Sequence, residues 1–79
     1  MTKALIQKNI RLSSEFDDYI SRDAHAFRRI PNRANIVITS ANDKTLSDVN
    51  ISIARNSRSG KFVEAHKSDG KWQIRTFKK

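Results

Sequence analysis

The chain has 79 residues, 37% of them apolar, and its 16 Lys or Arg against 8 Asp or Glu leave a net charge of +8. A chain of this length supports one small domain that buries only about 60% of its extended surface, and its lack of cysteine excludes disulfide staples and thiolate chemistry and suits a reducing interior such as the cytoplasm. No run approaching ~18 apolar residues is present to span a membrane, and Ala4-Leu5-Ile6 is too short an apolar stretch for a secretory leader.

The first element expected is a long helix from about Lys3 to Ser21, with Thr2 as its cap. Leu5, Leu12, Phe16, Tyr19 and Ile20 recur at helical spacing and lay one apolar stripe, which Ile6 and Ile10 widen. Ser13-Ser14 is weak for a helix interior and marks a candidate bend or a new N-cap. Asp23 begins a short second turn, Ala24 to Arg29. Ile30-Pro31 ends it, because the residue before proline is pushed out of the helical region.

Ala34 to Thr39 is short and β-branched, and reads as a buried strand, with a turn at Ala41 to Lys44. Leu46 to Arg58 fits two patterns. Val49, Ile51 and Ile53 alternate as in a strand, while Leu46, Val49, Ile53 and Ala54 follow helical spacing. Its length favours a helix, capped by Thr45 or Ser47 and stopped by Gly60, with Leu46, Val49, Ile53 and Ala54 turned to the sheet. Phe62 to His66 and Trp72 to Phe77 are expected strands joined by a hairpin at Ser68-Asp69-Gly70. Val63, Ala65, Trp72 and Ile74 would face inward, and Glu64, His66, Gln73 and Arg75 the other way. The fold class expected is therefore α/β (α+β). A long N-terminal helix and a short helical turn precede a strand-helix-strand-strand unit. The first two strands pair parallel through a right-handed crossover, and the third pairs antiparallel, giving a three-stranded mixed sheet.

The charge is uneven. Arg55 to Lys79 holds eight Lys or Arg and two acids, Glu64 and Asp69, so this third of the chain carries +6 of the total. Phe62, Trp72 and Phe77 lie among these cations, and cations interleaved with aromatics can hold a phosphate backbone and stack a base. The candidate binding residues are Arg55, Arg58, Lys61, Lys71, Arg75, Phe77 and Lys78. The partners this charge implies are RNA or DNA, or an acidic protein. A plainer account is that Arg55 and Arg58 complement the dipole at a helix C-terminus. The first helix is expected to lie away from the hairpin tip.

Catalytic and metal signatures are weak. His25 and His66 are the only histidines, with no spacing that ties them. Two histidines suffice in principle for metal-free phosphodiester cleavage, so a small RNase-like toxin of a toxin-antitoxin pair, working through His66, is an alternative. Glu15, Asp17 and Asp18 read as solvated, or as pairing with Arg11 and Arg22, rather than as a cation site. Two glycines are too few for a phosphate-cradling loop, and Ser57 and Ser59 have no local base. No catalytic residue, metal or cofactor is assigned, and the expected function is a non-enzymatic binding module. A homo-oligomer paired through the edge strand Trp72 to Phe77 is the third reading.

The pattern K-N-x-x-L-S-x-E-F-D-x-Y followed by I-P is present as Lys8-Asn9, Leu12-Ser13, Glu15-Phe16-Asp17, Tyr19 and Ile30-Pro31. With Phe27, Asn32, Ala34, Ile36-Val37, Asn50 and Ile53-Ala54, it resembles a family of small prokaryotic proteins of unknown function. The resemblance covers roughly residues 8 to 65 and implies a small α/β fold with a helix at Leu46 to Arg58. It implies no activity, and the hairpin through Trp72 and the basic finish depart from the pattern.

Overall fold

Helix α1 runs unbroken over Lys3–Arg22 in the computed structural model, which describes residues 2–58 and 60–77. Thr2 caps it by accepting a hydrogen bond from the Leu5 N–H at 3.2 Å. Ser13-Ser14 makes neither bend nor cap, because both side chains face solvent and Phe16, one turn on, is buried in the core. Helix α2, Ala24–Arg28, starts at Asp23, whose carboxylate accepts from the N–H groups of His25 and Ala26 at 3.0 and 3.1 Å.

Strand β1 (Asn35–Ser40), helix α3 (Lys44–Asn56), strand β2 (Phe62–Ser68) and strand β3 (Lys71–Thr76) follow. The sheet order is β1-β2-β3, with β1 parallel to β2 and β2 antiparallel to β3, so the expected α+β architecture and mixed sheet are present. Asp69 and Gly70 form the hairpin turn with φ of 52° and 74°, the left-handed angles that a two-residue hairpin demands.

Register fixes the two faces of the sheet. Ile38, Ala65 and Ile74 lie opposite one another, flanked by Val63, and pack with Phe16, Ala26 and Leu46 into the core. Trp72 is half-buried on the same face, its ring centroid 5.1 Å from that of Phe16. Lys67, beside it in register, reaches Glu15 at 2.5 Å. These contacts correct one expectation: α1 crosses close to the hairpin tip, because Trp72 needs the apolar cover that Phe16 supplies.

Helix α3 departs from expectation in two respects. Its cap is Asp43, not Thr45 or Ser47; the Asp43 carboxylate accepts from the Leu46 N–H at 3.0 Å. That hydrogen bond, and the Lys8 ammonium at 3.0 Å, hold the Asp43 carboxyl below its ordinary acidity range. The inward stripe also differs. Leu46 and Ala54 are buried and Val49 half-buried, but Ile53 is exposed. The reason lies in β1. Asn35 and Ala41 donate to the carbonyls of Lys61 and Lys67, so the odd-numbered residues bond to β2 and the even-numbered ones turn their backbone outward. Ser47 Oγ accepts from the Ser40 N–H at 2.8 Å, and Asn50 donates to the Ile38 carbonyl at 2.9 Å. Asn50 also pairs its amide with Asn9 of α1, at 2.7 and 3.2 Å. Two polar side chains thus seal part of an open strand edge, and they take the inward direction that pure apolar spacing gives to Ile53.

The helix stops at Asn56, two residues earlier than expected. Its cap is Ser57, and Gly60 belongs to the following loop, with φ 89°. A Cβ at Gly60 would lie 2.7 Å from the end of the exposed Asn35 side chain, which can move aside, so it is the left-handed backbone angle that favours glycine here.

Candidate functional site

One end of the molecule, here called the base, gathers the start of β1, the start of β2, the end of β3 and the C-termini of α2 and α3. Most of the acids are paired, Glu64 of β2 with Arg75 among them. Asp43 pairs with Lys8, Glu15 with Lys67, Asp18 with Arg22, and Asp48 with Lys44. Among the described residues, Arg28, Arg29, Arg33, Arg55, Arg58 and Lys61 are in no ion pair. The fold thus gathers several unpaired cations at the base, although Lys71 at the hairpin end is also in no ion pair among the described residues and Arg75 stands near Glu64.

A cleft of about 410 Å³ opens at this base, lined by Arg29, Pro31, Lys61, Phe62, Arg75 and Phe77 among others, with no acidic residue in its wall. Each side chain arrives by a separate route. Lys61 leads into β2, which Phe62 opens; Arg75 lies near the end of β3 and Phe77 just after it; and Arg29 is the C-cap of α2. Phe62 and Phe77 stand with ring centroids 6.1 Å apart at an interplanar angle of 58°, within the range of favourable tilted aromatic pairs.

Arg75 is held in place. Its guanidinium donates twice to the Gln73 side-chain oxygen, at 3.2 and 3.0 Å, and stands 3.9 Å from Glu64. Behind it runs a polar row. Thr39, only 2% exposed, donates to Glu64 at 2.5 Å and lies 2.8 Å from His66 Nδ1. The side chains of Glu64 and His66 are each 16% exposed, and Nδ1 of His66 is 3.7 Å from the Glu64 carboxylate. Both lie on β2, with Thr39 beside them on β1, and neither lines the basic cleft. The row satisfies a buried hydroxyl and fixes Arg75 through Glu64. His25 sits exposed on α2 with no contact to His66 among the described residues.

Of the expected binding residues, the fold brings Lys61, Arg75 and Phe77 into one cleft. Arg58 lies in the connection that leads to Lys61, and Arg55 is exposed on the last turn of α3. Lys71 does not join them. It opens β3 at the hairpin end, four residues from Arg75, a separation of about 13 Å at the rise of a strand. Lys78 lies outside the described residues. Arg29 and Phe62 were not among the candidates. Phe62 had its alternation with Glu64 and His66 as a signal, but nothing local marks Arg29, which α2 carries to the cleft. Glu15 pairs with Lys67 rather than Arg11, while the expected Asp18–Arg22 pair is present at 3.3 Å. Among the described residues, no three His, Asp or Glu could hold a metal, and no helix is long and apolar enough to cross a membrane.

Fold and site together define a small α+β module with one cationic and aromatic end, whose cleft wall holds no acidic residue. The chain belongs to the family of unknown function DUF5647, which it matches over residues 4–75. The match reaches past residue 65 and takes in the hairpin, with Trp72 and Arg75, so that segment is part of the family's domain rather than a departure from it. No curated protein and no solved structure matches the chain.

Proposed function

We propose that this protein is a non-enzymatic module that binds nucleic acid, RNA or DNA, at the base of its sheet. The carrying observation is the cleft lined by Arg29, Lys61, Phe62, Arg75 and Phe77 with no acid in its wall, together with the tilted Phe62–Phe77 ring pair. Cations hold phosphates, and aromatic rings offer a surface to bases. An acidic protein would use the charges but has no need of the paired rings, so nucleic acid is the better-supported partner. The reading includes a cytoplasmic, prokaryotic setting, in keeping with a chain that has no cysteine.

Two other readings have an observation each. Glu64 and His66 lie together beside Arg75, the equipment of a metal-free ribonuclease, but their polar atoms are bonded inward to Thr39. The outer edge of β3 pairs with no further strand among the described residues, which supports pairing of two copies there.

The test is anisotropy of a labelled oligonucleotide across a salt series. Three phosphate contacts give a log-log slope of roughly −2 to −3. Absence of binding at tens of micromolar near physiological salt, roughly the middle of the non-specific range, would sink the reading. Labelled RNA is expected to be recovered intact; cleavage that disappears in His66→Ala would replace binding with the ribonuclease reading.

A further inference from the structure

We infer that the ligand is a single strand whose path continues from the base cleft onto α2, where Phe27 supplies a second stacking surface. This rests on the nucleic-acid reading above and adds to it a second site and a strand state.

Phe27 is 62% exposed, although it is an aromatic on a five-residue helix. The core contact of α2 is made by its neighbour Ala26, which is 3% exposed, so packing does not account for a phenylalanine at 27. Around it lies a second cleft of about 430 Å³, lined by Phe27, Arg28, Pro31, Asn32 and Arg33 among others, again with no acid. Pro31 lines both clefts, so the two adjoin. Arg28, Arg29 and Arg33 thus border one track that runs from Phe27 past Pro31 to Phe62 and Phe77.

The loop is built to present this surface. Ala34 N–H donates to the Pro31 carbonyl at 3.1 Å, closing a turn, and Arg33 within it has φ 64°. That left-handed angle is uncommon for a residue other than Gly, Asn or Asp. Arg33 occupies it in no ion pair among the described residues.

The chemistry selects a single strand. Aromatic side chains stack on base faces, and in a duplex those faces are covered by neighbouring pairs. Cations alone would hold either form. Two ring surfaces separated by arginines suit a flexible strand that presents a base at each ring and phosphates between them.

The test compares an oligouridylate of about 10 nucleotides with a duplex DNA of similar length, using wild type, Phe27→Ala, Phe27→Leu and Lys61→Glu. Phe27 is exposed, so both of its variants are expected to keep the wild-type circular dichroism. Both should lose about tenfold or more in single-strand affinity, leucine because it is apolar without a flat ring, while duplex affinity changes by less than about twofold. Lys61→Glu should weaken both ligands alike, since a phosphate contact does not distinguish them. Single-strand binding that survives Phe27→Ala but falls with Lys61→Glu overturns the track and leaves the base site standing. Equal loss for single strand and duplex in Phe27→Ala overturns stacking at this site. Failure of the wild type to bind either ligand overturns the nucleic-acid reading itself.

Discussion

Replacing Leu46 with alanine is expected to lower the unfolding free energy by about 2 to 5 kcal/mol, the range for emptying a fully buried leucine site. Leu46 is fully buried, in one cluster with Phe16, Ile38 and Ala65. Its own N–H is the donor to the Asp43 cap, so the side chain anchors the turn that the cap begins. A domain of this size has a total stability on the order of 4 to 12 kcal/mol, and a loss near the top of the range leaves much of the population unfolded. Trp72, half-buried against Phe16, is the chain's one tryptophan and reports the transition by fluorescence. In urea, Leu46→Ala should move the midpoint far down, while Ile53→Ala, at an exposed position, should stay within about 0.5 kcal/mol of wild type. The reverse order would mean that α3 presents its Val49–Ile53 side to the core.

Reversing Lys61 and Arg75 together to glutamate is expected to reduce nucleic-acid affinity at low salt by at least about 100-fold. Hydrogen bonds to charged groups are each worth about 1.5–3 kcal/mol, and two such contacts are lost and replaced by like charge. The salt slope should shrink by roughly 2, about one for each phosphate contact removed. The loss should be similar for all base sequences, because phosphate contacts carry no base information. Reversal of Arg55 and Arg58 should cost less, since Arg55 faces solvent on the last turn of α3 and neither lines the cleft. A larger loss from the Arg55 and Arg58 pair, measured by the same anisotropy assay, would move the site to the end of α3. Lys61 and Arg75 are both substantially exposed, and neither belongs to the hydrophobic core.

The elements of this fold were legible where one physical rule dominated. Alternation in the hairpin assigned Val63, Ala65 and Ile74 to the core because a strand has a strict period of two and Asp69-Gly70 sets the register. The helix at α3 was legible as a helix, but its orientation was not. Ser47 and Asn50 face inward because they complete the outer backbone of β1, a demand created by the sheet order and invisible to an apolar pattern. The cap was misplaced for a related reason: Asp43, Thr45 and Ser47 are all competent caps, and Ser47 was already committed to Ser40.

The site divides in the same way. Lys61, Arg75 and Phe77 share a cleft because the hairpin register brings the start of β2 to the end of β3, which the alternating pattern foretells. Lys71 has the same composition around it but lies at the opposite end of the same strand. A charge count over a segment cannot separate the two ends of a hairpin. Arg29 and Phe27 are more than thirty residues from Lys61 in sequence. Only the descent of α2 towards the end of β3 joins them to the cleft. The ion pairs made by Lys8 and Lys67 matter too, since they neutralise two of the cations at the other end.

The central claim is the place of binding, and backbone amide shift mapping tests it most directly. Titrating a single-stranded oligonucleotide into isotope-labelled protein should move the amide signals of Arg29, Lys61, Phe62, Arg75 and Phe77, with Lys8, Lys44 and Lys71 unmoved. Shifts centred on Lys71 and the hairpin turn, or on Arg55 and the outer face of α3, with the base cleft silent, would contradict the account.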